Sequence, residues 1–353
     1  MNSPGIINLI LKCVLVSSRI DPAEYFQNAE KMKIWMNVFA SVFEMQFSDP
    51  NFATLLATKP GDIIREMEQK EICFEWKVKI KVSQILFVFF SHTERTFAIT
   101  KKVGTQNAPG HNLAQEFGKN YSLKFVEIFY KILDNHIKNP GSFLPYGLIT
   151  NILSSFDNIF KNEFFLANMH PYIDNLLFDI VLDFVKILPK DLELFYNDPK
   201  EFIYCIDCYH DAHIKLKSIS KELIARICQV NHPNGNLFIY QLVNHISYCF
   251  EKGVNPRNNQ QITSSYKESL YNAFLAVRSD AVKQDAILNE IENVLVKSVI
   301  PELVKEKDPM IRYRALTVLE YYGNIEFEDF NNLNQTCIGI CNSMSFNTQE
   351  QVH

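Results

Sequence analysis

The chain has 353 residues, long for one compact core, and 47% of them are hydrophobic, 13% aromatic and 21% charged. Its 35 Lys and Arg against 40 Asp and Glu leave a net charge of −5, which excludes a nucleic-acid-binding surface spread over the whole molecule. The apolar run Ile6 to Val16 has no basic residue ahead of it and is broken by Lys12, so a signal peptide is not expected. No run approaches the ~20 apolar residues that cross a bilayer, so membrane insertion is not expected either. The 8 cysteines are scattered, mostly within apolar periodic segments, as reduced core cysteines are. A soluble, reducing compartment is the expectation.

In chain order, helical periodicity starts at Ile6. A second helix over Ile34 to Phe47 puts Ile34, Val38, Val42 and Met45 on one face. Phe47 to Cys73 is looser, with Asp49-Pro50 and Pro60-Gly61 as breakers. Phe74 to Phe90 reads as a helix burying Val78, Val82, Ile85 and Phe89, and Lys77, Lys79 and Lys81 read as solvated. Thr93 to Asn112 reads as a polar connector. Leu123, Val126, Tyr130, Leu133 and Ile137 predict the next stripe, and Leu148, Ile152, Phe156 and Ile159 the one after. Ile173 to Leu188 is apolar on more than one side, as a helix covered on two sides must be. Further stripes follow: Leu216, Ile219, Leu223, Ile227 and Val230, then Phe238, Leu242, Ile246 and Cys249.

The most informative stretch begins at Ile287. Ile287, Ile291, Val294, Leu295 and Val299 form one stripe, and Pro301 bends that helix near its end. Asp308 is a good N-cap and Pro309 suits the first helical position. Ile311, Ala315, Val318 and Tyr322 make the stripe of the following helix; Arg312 and Arg314 fall off it. A helix pair cannot bury a stripe on each member alone and needs like units on either side. Asp-Pro, an aliphatic, Arg, then Ala is the second-helix signature of a HEAT repeat, echoed at Asp211, Ile214, Lys215 and Ser218. The expected fold is all-α: a right-handed α-α superhelix of HEAT repeats, ARM-like, one solenoid over residues 1–346 with about six or seven helix pairs and a frayed tail over 347–353.

Candidate chemistry is sparse. Cys205, Cys208, His210 and His213 are the one cluster with zinc-ligand residue types, but no second Cys-x-x-Cys completes a tetrahedral set. There is no glycine-rich phosphate loop and no HExxH. No catalytic, cofactor-binding or metal-ligating residue is therefore expected, and a binding scaffold is expected in place of an enzyme.

Two stretches resemble the importin-beta superfamily of nuclear transport receptors, closest to the importin-seven and importin-eight branch. In Asp191 to Tyr204, Asp198, Pro199, Glu201, Phe202 and Ile203 match the family run. In Val299 to Phe327, Val299, Pro301, Leu303, Arg312, Arg314, Ala315, Val318 and Leu319 match. Departures are Phe195, where a tryptophan is usual, and Leu316-Thr317, where Cys-Trp is usual. The resemblance covers the central third of such receptors. It implies a monomeric import receptor, shuttling between nucleus and cytoplasm, that carries protein cargo past nucleoporins and releases it on binding Ran-GTP. The re-exporter of importin-alpha and a non-transport HEAT scaffold are the alternatives.

Overall fold

A computed structural model describes residues 4–18, 22, 24–45, 74–103, 110–139, 142, 144–206 and 212–323, with 331, 334 and 338. The described residues form helices and turns, with two isolated bridges, Asn231 to Leu237 and Val254 to Gln261, and no strand. The protein is therefore all-α. Its contacts gather into two compact units, Met1–Ile180 and Val181–His353.

The first unit contains α1 (Pro4–Ser17), a 3-10 turn (Glu24–Gln27), α2 (Ala29–Glu44), α3 (Phe74–Val103), α4 (His111–Asn120), α5 (Ser122–Lys138), α6 (Tyr146–Phe160) and α7 (Glu163–Asn175). The thirty-residue α3 is its axis, packed by α1, α2, α4 and α6. Its core is a web of phenylalanines. Phe89 meets Phe26 edge-on at 4.9 Å, Phe90 meets Phe117 at 5.1 Å and Phe165 at 6.0 Å, and Phe129 meets Phe43 at 5.6 Å. Edge-to-face pairs of this kind add to plain area burial.

Several predicted faces are seen. Val78, Val82, Ile85 and Phe89 are buried, as are Leu148, Ile152, Phe156 and Ile159. Others are rotated. In α2 the predicted Val42 is buried, but with Met32, Met36, Phe39, Ala40 and Phe43, while Ile34 is 63% exposed and Val38 and Met45 lie outside with it. In α5 the predicted Val126 and Leu133 are buried, but Phe125 and Phe129 share the core with them and Leu123 is exposed. The reason is the same in both helices: two apolar stripes share the 3.6 period, and the one with the larger rings buries more area.

The predicted connector from Thr93 is instead the last part of α3. Thr93 and Thr96 are buried, the Thr100 hydroxyl donates to the Thr96 carbonyl at 2.9 Å, and Phe97 stacks on Phe164 at 5.3 Å. Threonines that return their hydroxyl to the preceding turn can stay helical. Lys79 corrects a second expectation. It is buried, donates to the carbonyls of Phe43 (3.2 Å) and Met45 (2.9 Å), and lies over the Trp76 ring. It thus satisfies the open carbonyls at the C-terminal end of α2, where a cation is favoured.

A π turn (Leu176–Val181) and one helical turn (Leu182–Phe184) follow α7; Leu176, Leu177, Ile180, Val181 and Leu182 are buried, as the two-sided apolar pattern requires. The second unit contains α8 (Pro189–Asn197), α9 (Pro199–Ile206), α10 (Ala212–Cys228), α11 (Phe238–Lys252), α12 (Ser264–Ala281), α13 (Asp285–Val294), α14 (Ile300–Lys305) and α15 (Pro309–Tyr322). Here α12 is the inner helix, packed by α10 and by α15. A second π turn, Leu295–Val299, stands directly before Pro301, with the Ile300 amide bonding back to the Leu295 carbonyl. A proline crowds the turn behind it, and the widened turn makes room for the ring. The loose segment Phe47–Cys73, Asp211 with the Ile214 side chain of the predicted echo, and the predicted tail 347–353 lie outside the described residues, as do the side chains of Cys205, Cys208, His210 and His213; Lys215 of the echo is exposed on α10 and Ser218 half-buried there.

Candidate functional site

The two sequence blocks built around Asp198-Pro199 and Asp308-Pro309 meet in space. Asp198 separates α8 from α9 and caps the latter: its carboxylate accepts from the Glu201 amide at 3.0 Å, and Pro199 takes the first helical position. That turns Phe202 back onto Phe195, with ring centroids 5.2 Å apart. Both rings pack with Ile187 and Met310 in one apolar cluster, and Tyr313 lies 5.9 Å from Phe195. Asp308 closes the same seam. It accepts from the Met310 amide at 2.9 Å, as the predicted N-cap, and from the Tyr196 hydroxyl at 2.7 Å. Burial, with the bond to Asp308 and its charge, pushes the Tyr196 hydroxyl up to about 12.

Beneath this apolar layer lies a buried ionic one. Arg314, read as off the stripe, is buried and donates from Nε and Nη2 to one oxygen of Glu268, both at 3.1 Å. Glu268 is wholly buried in α12 and also accepts from Asn272 at 2.6 Å; Asn272 donates in turn to the Val185 carbonyl. Lys217 of α10 faces Asp191 of α8 at 3.6 Å. Arg314 therefore lies on the inner side of α15 because Glu268 is there to receive it; alone it would not tolerate burial.

A second ionic set fixes the turn into α15. Lys267 reaches Glu302 and Glu306, each at 2.9 Å. Glu306 also accepts from the amides of Lys307 (2.9 Å) and Asp308 (3.2 Å). Burial alone would raise Glu306, but the Lys267 bond and the Asp308 amide bring its carboxyl down to about 2. Burial raises Glu302, which shares the same cation without those amides. For Lys267, burial is outweighed by bonds to Glu306 and Glu302, and the amine is raised.

Of the predicted motif residues, Phe202 is in the seam, Asp198 and Asp308 cap its helices, and Arg314 and Ala315 are buried behind it. Pro301 opens α14, which packs on α15. Arg312 is half-buried, while Pro199, Glu201 and Ile203 are exposed. The polar and charged residues that sequence reasoning missed are Asn272 and, among the charged, Glu268, Lys217, Lys267, Glu302 and Glu306. One signal was available: Glu268 and Asn272 fall at helical spacing with Tyr271, inside an otherwise apolar helix face. Among the described residues, no group of three His, Cys, Asp or Glu could hold a metal ion, and no helix is long and apolar enough to cross a membrane. No protein-family model, no curated protein and no solved structure matches the chain.

Proposed function

We propose that the chain is a HEAT-repeat solenoid of the importin-beta superfamily, acting as a nuclear import receptor and not as an enzyme. It carries protein cargo, engages nucleoporins, releases its load to Ran-GTP and moves between nucleus and cytoplasm as a monomer. The observation that carries this reading is the seam. Two stretches with the family's sequence pattern come together through Tyr196 and Asp308, 112 residues apart. Contacts between near neighbours in the chain also support it. In the second unit α10 packs on α11 and α12, α11 on α12 and α13, and α14 on α15. That order is expected of stacked helix pairs, which bury their stripes against adjacent pairs. In this reading α8 and α9 form an arm laid over the stack, reaching α15.

The test is a pull-down of the full chain with Ran loaded with a non-hydrolysable GTP analogue, with basic cargo protein and, separately, with importin-alpha. An import receptor binds the cargo and loses it when Ran-GTP is added. Importin-alpha bound more tightly in the presence of Ran-GTP would replace import with re-export. No response to Ran in either arm would remove the transport reading and leave a HEAT scaffold.

A further inference from the structure

Tyr196 stands in the last turn of α8, directly before the break Asn197-Asp198-Pro199. It is 50% exposed, yet its hydroxyl donates to Asp308 Oδ1 at 2.7 Å. The same carboxylate oxygen caps α15, accepting from the Met310 amide at 2.9 Å. The bond matters because α8 has nine residues and α9 eight, fewer than the ~12–15 at which a helix is even marginal alone in water. Their order comes from what they lie on. That is the small apolar cluster of Ile187, Phe195, Phe202 and Met310, with the Tyr196–Asp308 bond beside it. Phe195 and Phe202 are buried there, so lifting the two helices exposes both rings. Along the chain, exposed carboxylates flank the tyrosine at Glu193, Asp198 and Glu201. That charge pattern suits a kinase whose substrate groove is basic.

We propose that Tyr196 is a phosphorylation site and that its modification releases α8 and α9 from α15. In the reaction the phenolic O–H bond breaks and its proton passes to the base of a tyrosine kinase. A bond forms from Oη to the terminal phosphorus of a nucleoside triphosphate, the bridging P–O bond breaks, and the nucleoside diphosphate leaves. The product cannot keep the present contact. An aryl phosphate ester has no hydrogen on Oη to donate, and it sets close to two negative charges beside the Asp308 carboxylate. Asp308 cannot turn away without cost, because its carboxylate also holds the Met310 amide at the start of α15. Repulsion therefore falls on the short helices, whose remaining hold is the apolar cluster. This assignment stands apart from the transport reading and does not need it.

The experiment treats the full chain with ATP and a purified tyrosine kinase of basic substrate groove. Peptide mass spectrometry locates the phosphate, and amide hydrogen exchange is followed over residues 189–206. Phosphate is expected on Tyr196, with exchange over α8 and α9 rising about 10- to 100-fold, as the loss of a hydrogen bond to a charged acceptor implies. Tyr196→Phe keeps the ring, takes no phosphate there and shows a smaller rise. Asp308→Asn still caps α15 and still accepts from Tyr196, so in it the rise on phosphorylation shrinks roughly threefold; potassium chloride at about 0.5 M shrinks it likewise in the wild type. No phosphate at Tyr196 overturns the site. So does phosphate placed equally on the fully buried Tyr271, which would mean that the kinase reads unfolded chain. Unchanged exchange overturns the release, as does slower exchange, the result if the phosphate were drawn to the exposed Lys307 beside Asp308. A rise equal in Asp308→Asn and indifferent to salt overturns Asp308 as the repelling group.

Discussion

The units Met1–Ile180 and Val181–His353 bury their helices by different means. The first relies on rings: Phe26, Phe39, Phe89, Phe90, Phe117, Phe125, Phe129 and Phe156 are all fully buried, and its buried lysine, Lys79, is bonded to backbone carbonyls. The second buries carboxylates against cations, Glu268 with Arg314 and, at its margin, Glu302 and Glu306 with Lys267. An aromatic core is tolerant of which ring faces which, because dispersion and area burial have little direction. A buried ion pair is not, because either partner alone is costly, so it fixes which helices meet and in what register. The two sequence blocks that meet through Tyr196 and Asp308 lie in the unit that uses charge.

The contrast can be broken at matched positions. Arg314→Met strands the Glu268 carboxylate and is expected to cost about 3–5 kcal/mol in denaturant unfolding. Much of that loss should return in the double variant with Glu268→Met. Phe90→Ala is expected to cost a similar ~3–5 kcal/mol, with no second-site charge change that restores it. If the Arg314 and Glu268 losses simply add, the pair is not the register-setting element.

Lys79→Met tests the exception in the aromatic unit. It removes two bonds to the end of α2 while keeping most of the side-chain volume, and about 2 kcal/mol should be lost. Hydrogen exchange should show the last turn of α2 opening first, and uniform exchange would argue against that capping role. Ala315 is fully buried on the α15 face toward α12. Ala315→Leu should cost roughly 1–3 kcal/mol through overpacking, and a neutral result would mean the two helices can separate without penalty.

The smallest effect concerns acid. Glu306 sits at about 2 in the folded protein against 4.5 for the free side chain. Its contribution is therefore present above pH 4.5 and is lost as pH falls towards 2. Glu302 is shifted the other way and offsets part of it. Glu306→Gln should cost about 1–2 kcal/mol at neutral pH and flatten the fall in stability over that acid range. An unchanged acid limb would place the acid sensitivity elsewhere.

Much of the local structure was legible. The cap at Asp308, the stripe through Ile311, Ala315, Val318 and Tyr322, and the buried face Leu148 to Ile159 follow from spacing and cap chemistry alone. The faces of α2 and α5 were legible only in part: Val42, Val126 and Leu133 are buried as expected, but each helix carries two apolar stripes and only the neighbours decide how far each is covered. The length of α3 was hidden by its threonines, which bond or bury themselves once Phe97 has Phe164 to stack on. The candidate site was legible in halves: both blocks could be found, but not their contact through Tyr196 and Asp308.

The sequence by itself determined that this protein is helical, where most helices start, and which positions could be buried, because period and capping are local properties of a few neighbouring residues. Only the tertiary structure decided that Arg314 and Lys79 go inside. A charge is buried or exposed according to what the rest of the fold brings within a few ångströms of it, and the partners here lie 34 to 46 residues away along the chain.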